Sequence, residues 1–131
     1  TKGLKGNELT DMADLCKAGA VAFSNDGEPV SSGHVMRLAL EKAKSLKAVL
    51  IEHCEVKDHS SNGSMHEGHY SSLYGIKGIS SSSEDKMVAL DINLAETTDA
   101  SLHIANASTK GSVDLIRKAK NKKISISYTC D

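Results

Sequence analysis

Aromatic residues are scarce in this sequence of 131 residues: they make up 3% of it, as three tyrosines, one phenylalanine and no tryptophan. A hydrophobic core therefore has to be built from aliphatic side chains. No continuous run of about 18 apolar residues occurs, so the sequence contains no candidate for a membrane-spanning helix. We recognise no signal peptide at its start. The absent initiator Met and the last strand at the very end are expected of a piece of a longer protein.

An excess of charge of either sign is also missing. Sixteen Lys and Arg residues stand against seventeen Asp and Glu residues, for a net charge of −1. This balance gives no electrostatic reason to expect a nucleic acid or an anionic membrane as partner. The three cysteines, at positions 16, 54 and 130, show neither a CxxC motif nor zinc-finger spacing. Reduced thiols in a cytoplasmic protein are the simplest interpretation.

Helical and strand patterns alternate four times along the chain. Apolar spacing predicts helices near residues 8–17, 31–46, 83–96 and 109–120. Short apolar runs predict strands at 20–24, 48–54, 101–107 and 123–130, and a further short helix is expected near 65–74. Asn7 and Ser108 are the predicted N-caps of the first and last long helices, and Met87, Leu90 and Leu94 mark the third. This order predicts an α/β fold with parallel strands.

Polar side chains follow three of the predicted strands, at positions Asp26, His53 and Asn106. Side-chain alternation assigns each to the face of the apolar or small residues before it: Ala22 and Ser24, Val49 and Ile51, Leu102 and Ile104. Asp26, His53 and Asn106 are therefore expected on one equivalent face, at the carboxyl ends of parallel strands. Active sites of (β/α) barrels and of open α/β sheets form at this end.

Two interpretations remain open for the first two of these residues. Asp26 and His53 are ligand types that Zn²⁺ accepts, and a catalytic zinc needs about three protein ligands. Asp26 also belongs to an Asn-Asp-Gly turn signal, and a single histidine at a strand end is often structural. Cys54 is predicted to be a buried packing residue, because neighbouring strand residues point to opposite faces and His53 could not activate its thiol.

The other polar candidates favour structural roles. His59, His66 and His69 lie in a polar connection, where a solvated loop is favoured over a metal site. His103 is expected on the strand face opposite Asn106. Residues 108–111 open a helix and could bind a phosphate there, but helix capping is the favoured interpretation.

Five stretches resemble bacterial dihydroorotase, a cyclic amidohydrolase of the amidohydrolase superfamily: "TKGLKGNELTDMADLCKAGAVAFSNDGEPV", "IEHCE", "MHEGHYSSLYGIKGI", "EDKMVALDINLAE" and "LHIANASTKGSVDLIRKAK". They occur in the family's order and cover essentially the whole chain. The resemblance implies a partial (β/α)₈ TIM-type barrel of about four units, resembling units four to seven. Residues 1–131 would then be one incomplete barrel domain, since a complete barrel needs about 250 residues.

The resemblance also implies a zinc-dependent enzyme that interconverts dihydroorotate and N-carbamoyl-aspartate in pyrimidine biosynthesis. Asp26 matches the family's Asp after the fourth strand, and His53 matches its His after the fifth; both would bind metal. Asn106 stands where a metal-binding His is expected, in an "HVS"-like motif that here reads "NAS". A neutral amide oxygen is a weak ligand for Zn²⁺.

Further family features are missing from this chain. It contains no His-x-His, its covered part holds no counterpart of the catalytic Asp of the eighth strand, and Cys130 and Asp131 stand where Pro-His-His is usual. We therefore expect the chain alone to be inactive. One alternative is a non-catalytic relative that serves as a structural partner of aspartate carbamoyltransferase. Another is a homodimer of half barrels, joined through an exposed inner face that carries Val49, Ile51, Leu102 and Ile104.

Overall fold

The computed structural model describes residues 1–30, 32–57 and 63–130. Its α-helices are α1 (Met12–Lys17), α2 (Gly33–Ser45), α3 (His69–Tyr74), α4 (Ser81–Thr98) and α5 (Lys110–Asn121). Its strands are β1 (Ala22–Ser24), β2 (Val49–His53), β3 (Met65–His66), β4 (Gly78–Ile79), β5 (Leu102–Ala107) and β6 (Ile126–Cys130). A short 3₁₀ helix, Lys2–Leu4, precedes them.

The main sheet has four parallel strands in the order β1-β2-β5-β6. Ala22 is aligned with Val49, Leu50 with Leu102, and Leu102 with Ile126. The predicted α/β fold with a parallel sheet is confirmed. A second sheet, the parallel pair β3-β4, was not predicted, because two-residue strands are too short to show an alternation.

The core lies between the sheet and helices α2, α4 and α5. Its fully buried apolar side chains are aliphatic, and the largest are Met36, Leu40, Leu102, Ile104, Ile116 and Val88. Phe23 packs at the edge of this cluster and is only partly buried. The expectation of an aliphatic core is confirmed.

Two predicted helix caps are wrong. The first helix begins at Met12 and not near residue 8, because the Asp11 carboxylate accepts the Asp14 N–H at 3.0 Å and caps it there. The last helix is capped by Thr109, whose hydroxyl accepts the Ser112 N–H at 3.1 Å. Ser108 instead donates its hydroxyl to Glu84. Each helix thus begins where a side-chain oxygen reaches the free N–H groups of the first turn.

The predicted face of β5 is wrong as well. Leu102 and Ile104 are only 1% and 0% exposed, and they are aligned with Leu50 and Glu52, whose side chains are also buried. They therefore face the helices and do not share a face with Ile51. Alternation within one strand fixes which residues share a face, but only the register fixes which face it is. The apolar inner face predicted for a homodimer accordingly lacks Leu102 and Ile104.

All three cysteines are free thiols, with Cys54 buried and Cys130 exposed. Among the residues that the structure describes, no helix combines the length and the apolarity needed to cross a membrane.

Candidate functional site

A cleft of about 370 Å³ opens at the carboxyl ends of β2 and β5. His53 and Asn106 both line it, together with His66 from β3 and Glu84 from α4. The structure thus brings together two of the three polar residues that follow strands. The third, Asp26, is not part of this lining. The cleft therefore unites the ends of β2 and β5 and leaves the turn after β1 outside.

A β-bulge turns Asn106 toward the cleft. Ile104 is aligned with Tyr128 and Ala107 with Cys130, so β5 uses one residue more than β6 over this stretch. Asn106 has a φ of 59° and donates its N–H to the Thr129 hydroxyl at 3.0 Å. Ala107 then returns to the buried side, while Asn106 is exposed. Simple alternation would have placed Asn106 beside Ile104, and the extra residue moves it to the side of His53.

His103 also lies on the side of the sheet that carries His53. It is aligned with Ile51, and its Nδ1 is 2.8 Å from the Ser127 hydroxyl. The predicted placement of His103 opposite Asn106 is therefore wrong, because the bulge brings the two residues to the same side. Its hydrogen bond to Ser127 agrees with the structural role that was favoured for it.

Asp26 lies in a tight turn directly after β1. Its φ is 57°, and its N–H donates to the Ser24 hydroxyl at 2.8 Å. The preceding residue, Asn25, is buried and donates its amide N–H to the Glu28 carbonyl at 3.0 Å. This geometry agrees with the turn interpretation of Asp26. Asp26 is exposed, and its role as a metal ligand stays a prediction.

The described residues do not form a complete metal site. No group of three or more His, Cys, Asp or Glu side chains among them could hold a metal ion. His66 and His69 are exposed, and the His69 ring contacts the Tyr70 ring edge-on at 5.2 Å. His59 lies outside the described residues. A zinc ion bound at His53 would therefore need ligands from outside this part of the chain.

Sequence reasoning missed two buried carboxyl groups, on Glu52 and Asp91. Each residue is 2% exposed. Glu52 Oε1 accepts the Val30 N–H at 2.6 Å, and Asp91 Oδ2 accepts the Cys54 thiol at 3.3 Å. Burial raises the pKa of Glu52 to about 7, although the Val30 N–H opposes this. Burial, and then the charge of Glu52, raise the pKa of Asp91 to about 8.

A sequence signal for both carboxyl groups existed. Glu52 alternates with Leu50 and Cys54 on one side of an otherwise apolar strand, and Asp91 follows Met87 by four residues on one helix face. An ionisable residue in a buried stripe is unusual enough to be singled out. The predicted packing role of Cys54 is confirmed: the thiol is buried, and burial together with Asp91 raises its pKa well above the usual value.

Carboxylates from α4 occupy the N-terminus of α5. Glu84 accepts the N–H groups of Ser108 and Thr109 at 3.0 and 3.1 Å. Burial alone would raise the pKa of Glu84, but the hydrogen bonds from Ser108 and Thr109 outweigh it and lower the pKa. A Cβ on Gly111 would overlap the Asp85 carboxylate. These contacts confirm the capping interpretation of residues 108–111, because the place a phosphate would take is already filled by carboxylates.

Comparison with known sequences identifies the relatives of this chain. The sequence model of the Dihydro-orotase-like family matches residues 1–112. A dihydroorotase of Pelotomaculum thermopropionicum is 52% identical over 96% of this chain and 30% of the relative. A dihydroorotase of Acetivibrio thermocellus is 46% identical over 100% of this chain and 30% of the relative. The chain thus spans about 30% of the length of these curated relatives.

Solved structures agree on the fold. A D-hydantoinase from Bacillus sp. AR9 superposes with a TM-score of 0.73 at 16% identity, covering 94% of this chain and 30% of that one. A dihydropyrimidinase from Brevibacillus agri gives 0.68 at 16% identity, with the same coverage of 94% and 30%. Both neighbours are TIM barrels that this chain covers in part, so the predicted partial barrel is confirmed. The chain belongs to the dihydroorotase-like family.

Proposed function

We propose that this chain forms one wall of the active site of a cytoplasmic cyclic amide hydrolase, which interconverts dihydroorotate and N-carbamoyl-aspartate in pyrimidine biosynthesis. One observation carries the proposal: His53 and Asn106 meet in one cleft at the carboxyl ends of adjacent parallel strands. Barrel enzymes place their reacting groups at this end. Residues 1–131 are then one incomplete barrel domain.

We propose a distinct task for Asp26 and His53 and another for Asn106. Asp26 and His53 supply two zinc ligands, and the Asn106 amide hydrogen-bonds substrate or water. Glu84 lines the same cleft, but its carboxylate is engaged by Ser108 and Thr109. These hydrogen bonds partly neutralise the negative charge of Glu84, which therefore repels the carboxylate of an anionic substrate less. Two ligands do not complete a catalytic zinc site, so we propose that the chain alone does not hydrolyse dihydroorotate.

Zinc content of the purified chain, measured by equilibrium dialysis and elemental analysis, tests this proposal. We expect weak binding by the natural chain, tighter binding by Asn106→His, and loss of that gain when His53→Ala is added. His103→Ala is the matched control, because it removes a histidine of the same sheet side that is bonded to Ser127. Zinc binding that is insensitive to His53→Ala would contradict the proposed ligand role.

Asn106 favours a second candidate function. A relative that lost a ligand could serve as a non-catalytic partner of aspartate carbamoyltransferase or assemble with a second copy of itself. β1 and β6 each have one neighbour in the main sheet, so each offers an unpaired strand edge within the described residues. Size-exclusion chromatography with light scattering separates the cases. A monomer that does not co-elute with aspartate carbamoyltransferase would exclude both assemblies.

A further inference from the structure

We infer that Glu52 is a positioning residue: its buried carboxyl fixes the turn that carries Asp26 relative to the strand that carries His53. The inference rests on the proposed function, in which these two side chains belong to one site. It assigns Glu52 no contact with substrate.

The contact begins where the sheet ends. The last aligned pair between β1 and β2 is Ser24 with Ile51. Beyond it, Glu52 Oε1 accepts the Val30 N–H at 2.6 Å, which joins residues 22 positions apart. Val30 is buried too, so water does not compete for this N–H. The side chain of Glu52 thus continues the connection between the two strands after the backbone pairing stops.

The shape of the turn has a separate cause. The buried Asn25 side chain donates to the Glu28 carbonyl at 3.0 Å and accepts from the Thr1 hydroxyl at 2.5 Å. The N–H of Asp26 donates to the Ser24 hydroxyl. These bonds close the turn on itself and on the preceding segment, and none of them reaches β2. An exposed ion pair between Glu28 and Lys57 also joins the turn to the segment after β2, but exposed pairs contribute little. Placement relative to His53 therefore depends mainly on the buried contact of Glu52.

A carboxyl group at position 52 indicates a role other than core packing. Burial of a carboxyl group is unfavourable, and an apolar side chain of similar size avoids that cost. An apolar side chain would leave the Val30 N–H without its acceptor, which disfavours the present position of the turn. Glu52 thus fixes the position of residues 26–30, and it does not improve the packing of the core.

The test compares Glu52→Met and Glu52→Gln with the natural chain by amide hydrogen exchange and NMR, without added metal. In Glu52→Met we expect exchange of the Val30 amide to be faster by about tenfold, with shifts of the Asp26 amide and of the His53 ring. Glu52→Gln keeps an acceptor oxygen, so we expect it to rescue exchange and shifts. Asp91→Asn is the control, because it changes a buried carboxyl with no bond to the turn, and it should leave Val30 exchange unchanged.

Unchanged Val30 exchange in a folded Glu52→Met chain would overturn the inference. If that variant does not fold, Glu52→Gln decides: slow exchange at Val30 supports the role of the acceptor, and exchange faster by about tenfold overturns it. These measurements use neither metal nor activity. Failure of zinc binding with a protected Val30 amide would therefore count against the proposed function alone.

Discussion

The turn after β1 and the bulge near the end of β5 both carry a polar side chain past a parallel strand, but different interactions hold them. The β1 turn is attached through the buried Glu52 carboxyl, which contacts Val30. The segment after the bulge is attached to α4 through the half-buried Glu84 carboxylate, which accepts the Ser108 N–H. Burial pushes the pKa of Glu52 up, whereas the hydrogen bonds to Glu84 pull its pKa down. Attachment in the core and attachment near the surface should therefore respond differently to mutation, pH and salt.

Among the substitutions compared at a fixed pH, the largest effect is expected in the core beneath the bulge. Ile104→Ala removes a fully buried side chain and should lower the free energy of unfolding by about 3 kcal/mol. Ile51→Ala, on the other side of the sheet and half-buried, should cost only about 1 kcal/mol. Urea unfolding followed by circular dichroism measures both. Equal losses would contradict the assignment of Ile104 and Ile51 to opposite sides.

A dependence of stability on pH is expected from Asp91. Its pKa is about 8 in the folded chain against an ordinary value of 3.8, because it is buried and lies near Glu52. The folded chain therefore binds more protons between these values, and stability should fall as the pH rises through this window, by at most about 1.4 kcal/mol per pH unit. Above about pH 8 the contribution of Asp91 should level off.

Asp91→Asn isolates this contribution. Thermal unfolding across the same pH range should show a shallower decline in the variant, with the remaining slope assigned to Glu52, whose pKa is also raised by burial. An identical pH profile in the variant and the natural chain would show that Asp91 is not the titrating group.

The smallest effect is expected at the surface attachment. Glu84→Gln removes the charge that complements the N-terminus of α5, and it should cost about 1 kcal/mol of unfolding free energy at low salt. Added salt should reduce the difference. Glu96→Gln is the control, since Glu96 forms an exposed ion pair with Lys122 at 3.4 Å and its loss should change stability little. Equal effects of the two substitutions would contradict the capping role of Glu84.

Much of the fold could be predicted because its signals are local. The four strands of the main sheet lie within the predicted runs, and α2 and α5 lie close to the predicted helices. The stripe of α4 was only partly predicted: Met87 is buried, but Leu90 is 44% exposed and Asp91 takes a core position. The prediction assigned Leu90 to the core and not Asp91 because Leu is apolar and a buried Asp is uncommon.

The site depends on two features that are not local. The register of β5 against β2 decides that Leu102 and Ile104 face the helices, and the bulge then returns Asn106 to the cleft. The strand-end prediction for Asn106 was therefore correct in place and wrong in its reason. The Glu52–Val30 contact spans 22 residues and joins a strand to a turn, so no periodicity within either segment could predict it.

An NMR titration of the Asn106→His chain with Zn²⁺ tests the central claim most directly, namely that the ends of β2 and β5 form one wall of a metal-dependent site. The account predicts that the imidazole resonances of His53 and of position 106 shift together in a single binding step. The histidines of the exposed segment, His66 and His69, should be affected less. Shifts confined to His66 and His69, or no shift at His53 when position 106 responds, would contradict it.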